Sequence, residues 1–348
     1  MKYKFYTKSE KAWVAMLQDI KEAKHSIYLE SFILTDDSST HNFFEVLKEK
    51  ARQGVMVKII IDRVGNLWLG SINRKEFEEA GAEMLFFNRW FYHSHRKILV
   101  IDESVAYIGG VNVGGAYANW LDLHVRLTGK LARSLSKSFS RVYGIAGGQD
   151  PAILNIRKQR KLPKARTGLY KAKSWLIEHW PIKGKSALRY YYKKKCAEAK
   201  KSITIVTPYF IPHRWLIRSL RAAANRGVKI EVIVPEKTDV FIANIAHRVF
   251  ADSLKGILTI YFIPEMNHAK VLLIDNRDGL VGSNNIDAQS FDFNLEASIS
   301  FRRKDMVGDL RTILERWKKL AVPFNPHALL RWYYYFLGFF IRIIQPIL

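Results

Sequence analysis

The chain has 348 residues, 48% hydrophobic and 25% charged, a globular composition long enough for two domains with sizeable cores. Its 56 Lys and Arg against 32 Asp and Glu leave a net charge of +24. That excess favours anionic partners: nucleic acid, an anionic membrane or a phosphorylated substrate. Cys196 is the only cysteine, which excludes an intrachain disulfide and is compatible with a reducing compartment.

The N-terminus, Met1-Lys2-Tyr3-Lys4, leads into a polar segment without the apolar core of a signal peptide, so no N-terminal membrane anchor is expected. Thr7 or Ser9 can cap a first helix running to about Lys24. A strand is predicted over Ser26 to Leu34, ending in a polar turn at Asp36-Asp37. A helix through Phe43–Arg52 stops at Gly54, and a strand from Val55 to Ile61 ends at Asp62. This alternation predicts a mixed or mostly parallel sheet covered by helices, an α/β fold. Leu67-Trp68-Leu69, between Gly65 and Gly70, reads as a loop that dips into a bilayer or lines an acyl groove as readily as a buried one. Phe86, Phe87, Trp90, Phe91 and Tyr92 follow, and part of that cluster must be core.

Next comes His95-Arg96-Lys97-Ile98-Leu99-Val100-Ile101-Asp102, an H-x-K-x4-D pattern followed by Gly109-Gly110-Val111-Asn112. It recurs as His268-Ala269-Lys270-Val271-Leu272-Leu273-Ile274-Asp275, followed by Gly282-Ser283-Asn284-Asn285, at an offset of 173 residues throughout. Three fixed residues recur by chance, but two copies with matching Gly and Asn mark an internal duplication. In an extended segment His95 and Lys97 point the same way, and the apolar run after them reads as a buried strand. Lys supplies a point charge and Asn amide donors for phosphate oxygens; His is fit to be nucleophile or general acid and base near neutral pH. Two such sets facing one phosphodiester let one His attack phosphorus while the other protonates the leaving oxygen. The bland alternative is two satisfied histidines at strand starts.

The second half repeats more than the motif. Glu22-Ala23-Lys24-His25-Ser26-Ile27 reappears as Glu198-Ala199-Lys200-Lys201-Ser202-Ile203, and Gly227 precedes an apolar strand as Gly54 does. The expected organisation is a domain over 1–150, a basic linker over 151–177, a second domain over 178–325 and an aromatic tail over 326–348. The linker has no Asp or Glu and suits either solvent or anionic headgroups. A helix is expected from about Asp305 to Leu320. The tail, with Trp332, Tyr333, Tyr334, Tyr335, Phe336, Phe339 and Phe340 between Arg331 and Arg342, has an apolar run about half the ~20 residues of a membrane span. It reads as an interfacial helix or hairpin, the alternative being a helix docked on the core.

These motifs resemble the phospholipase D superfamily, and most closely bacterial cardiolipin synthases lacking N-terminal membrane helices. Leu29-Glu30-Ser31-Phe32-Ile33, Thr207-Pro208-Tyr209-Phe210-Ile211-Pro212 and Asn294-Leu295-Glu296 add to the likeness, which spans about residues 10–320. The resemblance implies two tandem, pseudo-twofold-related α/β domains, each a mixed sheet flanked by helices, with one shared active site and no metal or other cofactor. It makes His95 the nucleophile that forms a phosphohistidine, and His268 the group that protonates the leaving alcohol and then activates the acceptor. It gives the phosphoryl oxygens to Lys97, Lys270, Asn112 and Asn285, with Ser283 and Glu30 as further substrate-binding candidates. Asp102 and Asp275 complete the motif but are usually structural. It assigns Glu296 to orient His268, and Asp122 to orient His95.

The bottom-up chemistry agrees in kind: covalent catalysis divides one displacement in two, and Lys and Asn donors stabilise the phosphorane charge. The leading expectation is a phosphatidyltransferase that makes cardiolipin from phosphatidylglycerol, bound as a peripheral or monotopic protein at the cytoplasmic face of an anionic inner membrane. A hydrolase of phospholipid or nucleic acid is the alternative, although the aromatic tail does not suit a nucleic-acid partner. A catalytically idle binding module fits poorly with four intact His and Lys positions. The residues carry no signal of oligomeric state.

Overall fold

The computed structural model describes residues 2–36, 41–66, 74–89, 91–156, 174–181, 186–325 and 332–344. The Leu67-Trp68-Leu69 loop, Trp90 and residues 157–173 of the basic segment lie outside the described residues.

The first half runs β1 (Tyr3–Lys8), α1 (Ser9–Glu22), β2 (Ser26–Ser31), α2 (Phe43–Arg52), β3 (Met56–Asp62), α3 (Arg74–Glu79), β4 (Glu83–Phe87), β5 (His93–Ser94), β6 (Ile98–Ile101), β7 (Val105–Gly109), β8 (Leu121–Thr128), α4 (Lys130–Ile145) and α5 (Pro151–Ile156). The second runs β9 (Ser174–His179), α6 (Ala187–Glu198), β10 (Ser202–Val206), α7 (Arg214–Ala224), β11 (Lys229–Pro235), α8 (Phe241–Ser253), β12 (Thr259–Ile263), β13 (Val271–Ile274), β14 (Asp278–Gly282), β15 (Asn294–Phe301), α9 (Lys304–Leu320), β16 (Val322–Pro323) and α10 (Trp332–Ile344).

The sheet orders show the duplication directly. One is β1-β8-β7-β6-β2-β3-β4, the other β16-β12-β11-β10-β13-β14-β15-β5. In each, three parallel strands (β2-β3-β4, β10-β11-β12) continue into three antiparallel ones (β6-β7-β8, β13-β14-β15). The predicted mixed α/β sheets are therefore present in both halves.

Strand alternation decides the layers. Ile27, Leu29, Leu99 and Ile101 pack under α1 and α2, while Tyr28, Ile98 and Val100 point the other way into a core shared by both halves. In the second half Ile203, Ile205, Leu272 and Ile274 face α6, α7 and α8, and Val206, Val271 and Leu273 face the shared core. α4 and α9 fill that core with Leu135, Phe139, Leu310 and Trp317. Strands buried on both faces explain why 98–101 and 271–274 are unbroken apolar runs.

Three boundaries differ from the sequence-based expectation. Thr7 lies in edge strand β1, paired antiparallel with β8, so the first helix starts at Ser9. The strand after it stops at Ser31. The expected linker is structured at both ends, as α5 and as β9, which pairs antiparallel with β15 from Glu296↔His179 to Phe301↔Ser174.

α10 carries apolar residues on two faces. Tyr334, Leu337 and Ile341 pack on the second-half core, and a Cβ on Gly338 would meet Val249 of α8 at 3.0 Å. Phe336, Phe339 and Phe340 are 58, 63 and 45% exposed. No helix among the described residues is long and apolar enough to cross a membrane.

Candidate active site

Two exchanges between the halves build the site. β5, from the first half, adds to the second-half sheet beside β15, and the His95 amide donates to the Leu295 carbonyl at 3.1 Å. In the other direction the His268 amide donates to the Leu121 carbonyl at 2.7 Å, and Leu121 donates to Met266 at 2.9 Å. Each histidine is therefore held by the strand end of the opposite half. Asp62, at the end of β3, steadies the approach by accepting the Ser94 amide at 2.7 Å.

The next residue along each strand end supplies the carboxylate. Nδ1 of His95 lies 3.1 Å from Oε1 of Glu296, and Nδ1 of His268 lies 2.9 Å from Oδ2 of Asp122. This reverses the pairing expected from sequence, in which each carboxylate served the histidine of its own half. The exchange of strand ends is the reason: Glu296 follows Leu295, to which His95 is bonded, and Asp122 follows Leu121, to which His268 is bonded. A carboxylate only accepts, so each Nδ1 carries the proton and each Nε2 offers a lone pair.

The lysines point the same way as their histidines, as strand alternation requires. Lys97 Nζ donates to the His95 carbonyl at 2.7 Å and Lys270 Nζ to the His268 carbonyl at 2.5 Å. All four side chains are buried and sense one another. Burial, then Lys97, hold the His95 imidazole below its ordinary value against the pull of Glu296, and Lys270 adds to the effect. Burial and then Lys270 hold His268 well below the usual range despite Asp122. Burial and the opposing lysine depress Lys97 strongly, and burial brings Lys270 down to about 8. Burial pushes the Glu296 carboxyl up, but His95, Lys97 and Ser283 outweigh it and leave it lowered. Two imidazoles, two lysines and two carboxylates thus share one buried site.

A family model described as "Cardiolipin synthase, PLD-like domain" matches residues 16–142 and again 192–318. The chain belongs to this cardiolipin synthase family of PLD-like domains. It is 28% identical over 335 residues to the probable cardiolipin synthase YwiE of Bacillus subtilis, covering 91% of this chain and 66% of that protein. It is 30% identical to cardiolipin synthase 2 of Bacillus anthracis, covering 91% of this chain and 65% of the relative. The chain thus spans about two thirds of the length of these relatives. Its fold is similar to that of a phosphatidylserine synthase from Haemophilus influenzae, with TM-score 0.80 at 15% identity, covering 99% and 95% of the two chains.

Within this PLD-like framework several expected site residues take other places. Asp102 and Asp275 follow β6 and β13 at the ends away from the lysines. Asp102 accepts the backbone amides of Lys24, His25 and Ser26 at 2.8 to 2.9 Å. Asp275 accepts those of Lys200, Lys201 and Ser202 at 2.7 to 3.1 Å. They pin the starts of β2 and β10, a structural use where the sequence grouped them with the catalytic residues.

Glu30 is engaged within the fold. It is fully buried, accepts the Ser94 hydroxyl at 2.6 Å and lies 3.3 Å from the Arg96 guanidinium. Ser283 is likewise occupied: its hydroxyl donates to Glu296. The equivalent Gly110 has no room for a side chain, because a Cβ there would collide with the Asp122 carboxylate. Asn112 and Asn285 follow β7 and β14, and each has a buried Oδ1 without a partner among the described residues.

Three residues at the site had no role in the sequence-based expectation. Ser290 donates its hydroxyl to Glu296 Oε1 at 2.8 Å and accepts the Asn285 amide at 2.9 Å, joining the carboxylate to the asparagine loop. Phe32 stands edge-on to His95 at a ring distance of 4.8 Å, and Trp120 lies over His268 at 5.4 Å. The place of Trp120 two residues before Asp122 was the available signal. Among the described residues no group of three His, Cys, Asp or Glu side chains is placed to hold a metal ion.

Proposed function

We propose that the chain is a phosphatidyltransferase that converts two phosphatidylglycerols to cardiolipin and glycerol through a phosphohistidine on His95. The observation that carries this is the pair of buried imidazoles, each oriented through Nδ1 by a carboxylate from the opposite half, with a buried lysine bonded to the carbonyl of each histidine. His95 Nε2 attacks phosphorus, and the phosphorus–oxygen bond to the leaving glycerol breaks. That oxygen takes its proton from Nε2 of His268. The negative phosphodiester entering beside His268 favours its protonated form, which the free site disfavours. In the second step His268 takes the proton of a lipid hydroxyl, the alkoxide oxygen attacks phosphorus, and the bond to His95 breaks. Lys97, Lys270, Asn112 and Asn285 hold the phosphoryl oxygens as charge builds.

The exposed aromatic face of α10 and the net charge of +24 support peripheral binding to an anionic membrane, which we place at its cytoplasmic face. The decisive experiment incubates the purified chain with phosphatidylglycerol vesicles and identifies products by mass. Cardiolipin with glycerol is the expected result. Phosphatidic acid with glycerol and no cardiolipin would make the chain a hydrolase. His95→Ala should abolish both turnover and the covalent phosphatidyl-enzyme; retained turnover would remove His95 as the nucleophile.

A further inference from the structure

Phosphatidyl transfer to a lipid alcohol has one persistent competitor, water, which meets the same phosphohistidine and the same base. We infer that Trp120 decides that competition by closing the solvent side of His268. The inference rests on the phosphatidyltransfer reading above.

The two halves of the site are equivalent in backbone and different in what they place over the imidazoles. Leu121 and Leu295 accept the His268 and His95 amides in matching fashion. The residues after them are the matching carboxylates, Asp122 and Glu296. The residues before them are Trp120 and Asn294, so the indole at His268 comes from the strand end itself, whereas the ring against His95 is Phe32, edge-on at 4.8 Å from the loop after β2. Asn294 has a buried Oδ1 without a partner among the described residues. Trp120 instead lies across the His268 ring, 5.4 Å between centroids at 54°.

The indole is held there firmly. Tyr117 meets it edge-on at 4.8 Å, and its amide donates to the Tyr117 carbonyl at 3.1 Å. Its carbonyl accepts the Ser9 amide at 3.2 Å, and the next amide crosses to Met266. A Cβ on Gly114 would collide with Thr35 Oγ1 at 2.5 Å and crowd the Tyr117 ring at 3.2 Å. With Asp122 on Nδ1 and the indole tilted against the ring, the His268 side chain is only 5% exposed.

The consequence falls on the second step. After glycerol leaves, His268 must be neutral and must take a proton from whichever hydroxyl reaches Nε2. Water transfers its proton to His268, its oxygen bonds to phosphorus, the bond to His95 breaks, and phosphatidic acid results. A lipid glycerol hydroxyl follows the same course and gives cardiolipin. A lipid approaches along the phosphate-binding side, where Lys97 and Lys270 lie, whereas bulk water reaches His268 from any open face. Covering one face with an apolar ring removes a route that only water uses.

The test measures cardiolipin and phosphatidic acid by mass from the full chain on phosphatidylglycerol vesicles, for wild type, Trp120→Ala and Trp120→Phe. The product ratio does not depend on how much of a variant is folded. Trp120→Ala should shift it towards phosphatidic acid by about tenfold or more, and Trp120→Phe should keep most of the wild-type ratio. An unchanged ratio in Trp120→Ala overturns the role of the indole while leaving the transferase assignment intact. An equal shift in both variants also overturns it, because a ring at that place would then not be what matters. Phosphatidic acid alone from wild type overturns the transferase reading and this inference together.

Discussion

Glu296 Oε1 lies 3.1 Å from His95 Nδ1, although the two residues belong to different repeats and stand 201 positions apart. Asp122 and His268 mirror the contact at 2.9 Å. Neither repeat holds a complete histidine–carboxylate pair of its own. The site exists only when the two strand ends have crossed, which couples folding of the whole chain to assembly of the chemistry.

Removing the two carboxylates one at a time should therefore separate the two half-reactions. Glu296→Gln leaves the His95 tautomer without its acceptor and should slow formation of the phosphatidyl-enzyme by about 10² to 10⁴. Asp122→Asn should slow proton transfer at His268, so that covalent enzyme accumulates after glycerol release. Rapid-quench trapping with labelled phosphatidylglycerol reads both. Accumulation in Glu296→Gln, with none in Asp122→Asn, would exchange the roles of the two histidines.

Lys270, brought down by burial to about 8, sets the alkaline limit. Its ammonium form binds the phosphoryl oxygens and is present below that value, so kcat/KM should fall as pH rises through about 8. Lys270→Arg keeps its charge across this range and should remove the fall, at some cost in the plateau. At the acid side the nucleophile must be neutral, and His95 is held below its ordinary 6.5. Activity should accordingly persist at pH values where an ordinary histidine is already protonated. A pH profile of kcat/KM checks both limbs; an alkaline fall that survives Lys270→Arg unchanged assigns it to another group.

Asp102 should matter for stability and little for chemistry. Its carboxylate accepts three backbone amides, and these bonds outweigh burial to leave it below its ordinary value. A group whose folded value is depressed contributes stability above its unfolded value, near 3.8, and loses it as pH falls through the folded one. Asp102→Ala should cost about 2 kcal/mol in urea unfolding at neutral pH, and the gap from wild type should narrow in acid. Turnover per folded molecule should change by less than about twofold. A loss near that of His95→Ala would return Asp102 to the active site.

Phe336, Phe339 and Phe340 should hold the chain on anionic vesicles at high salt. Salt screens the attraction of the net charge beyond about 8 Å at physiological ionic strength, but not the burial of aromatic rings. Replacing all three by Ser should cost about 3 kcal/mol of membrane affinity, roughly a hundredfold in partition at high salt. The melting temperature should barely move, because Leu337 and Ile341 supply the docked face. Sedimentation with phosphatidylglycerol vesicles measures the partition; equal high-salt binding by the variant would direct the search for the anchor elsewhere on the surface.

Much of this is legible in the sequence because it is local or repeated. The 173-residue offset marks the duplication, and the unbroken apolar runs after Lys97 and Lys270 mark strands buried on both faces. Strand alternation puts His95 beside Lys97 and His268 beside Lys270. Spacing fails at the carboxylates: 27 residues from His95 to Asp122 and 28 from His268 to Glu296 describe a path within each repeat, while the contacts lie between repeats. Glu30 and Ser283 look free in the sequence because only tertiary packing brings Arg96 to one and Glu296 to the other. The indole over His268 is equally silent, since Trp120 reaches that ring only through the bonds from Leu121 to Met266 and from His268 to Leu121. The sequence alone determined the repeated element, its strand and the chemical groups it carries, because those follow from short-range geometry. Only the tertiary structure decided which carboxylate, hydroxyl and aromatic ring each histidine meets, because two repeats packed about a pseudo-twofold axis exchange their strand ends.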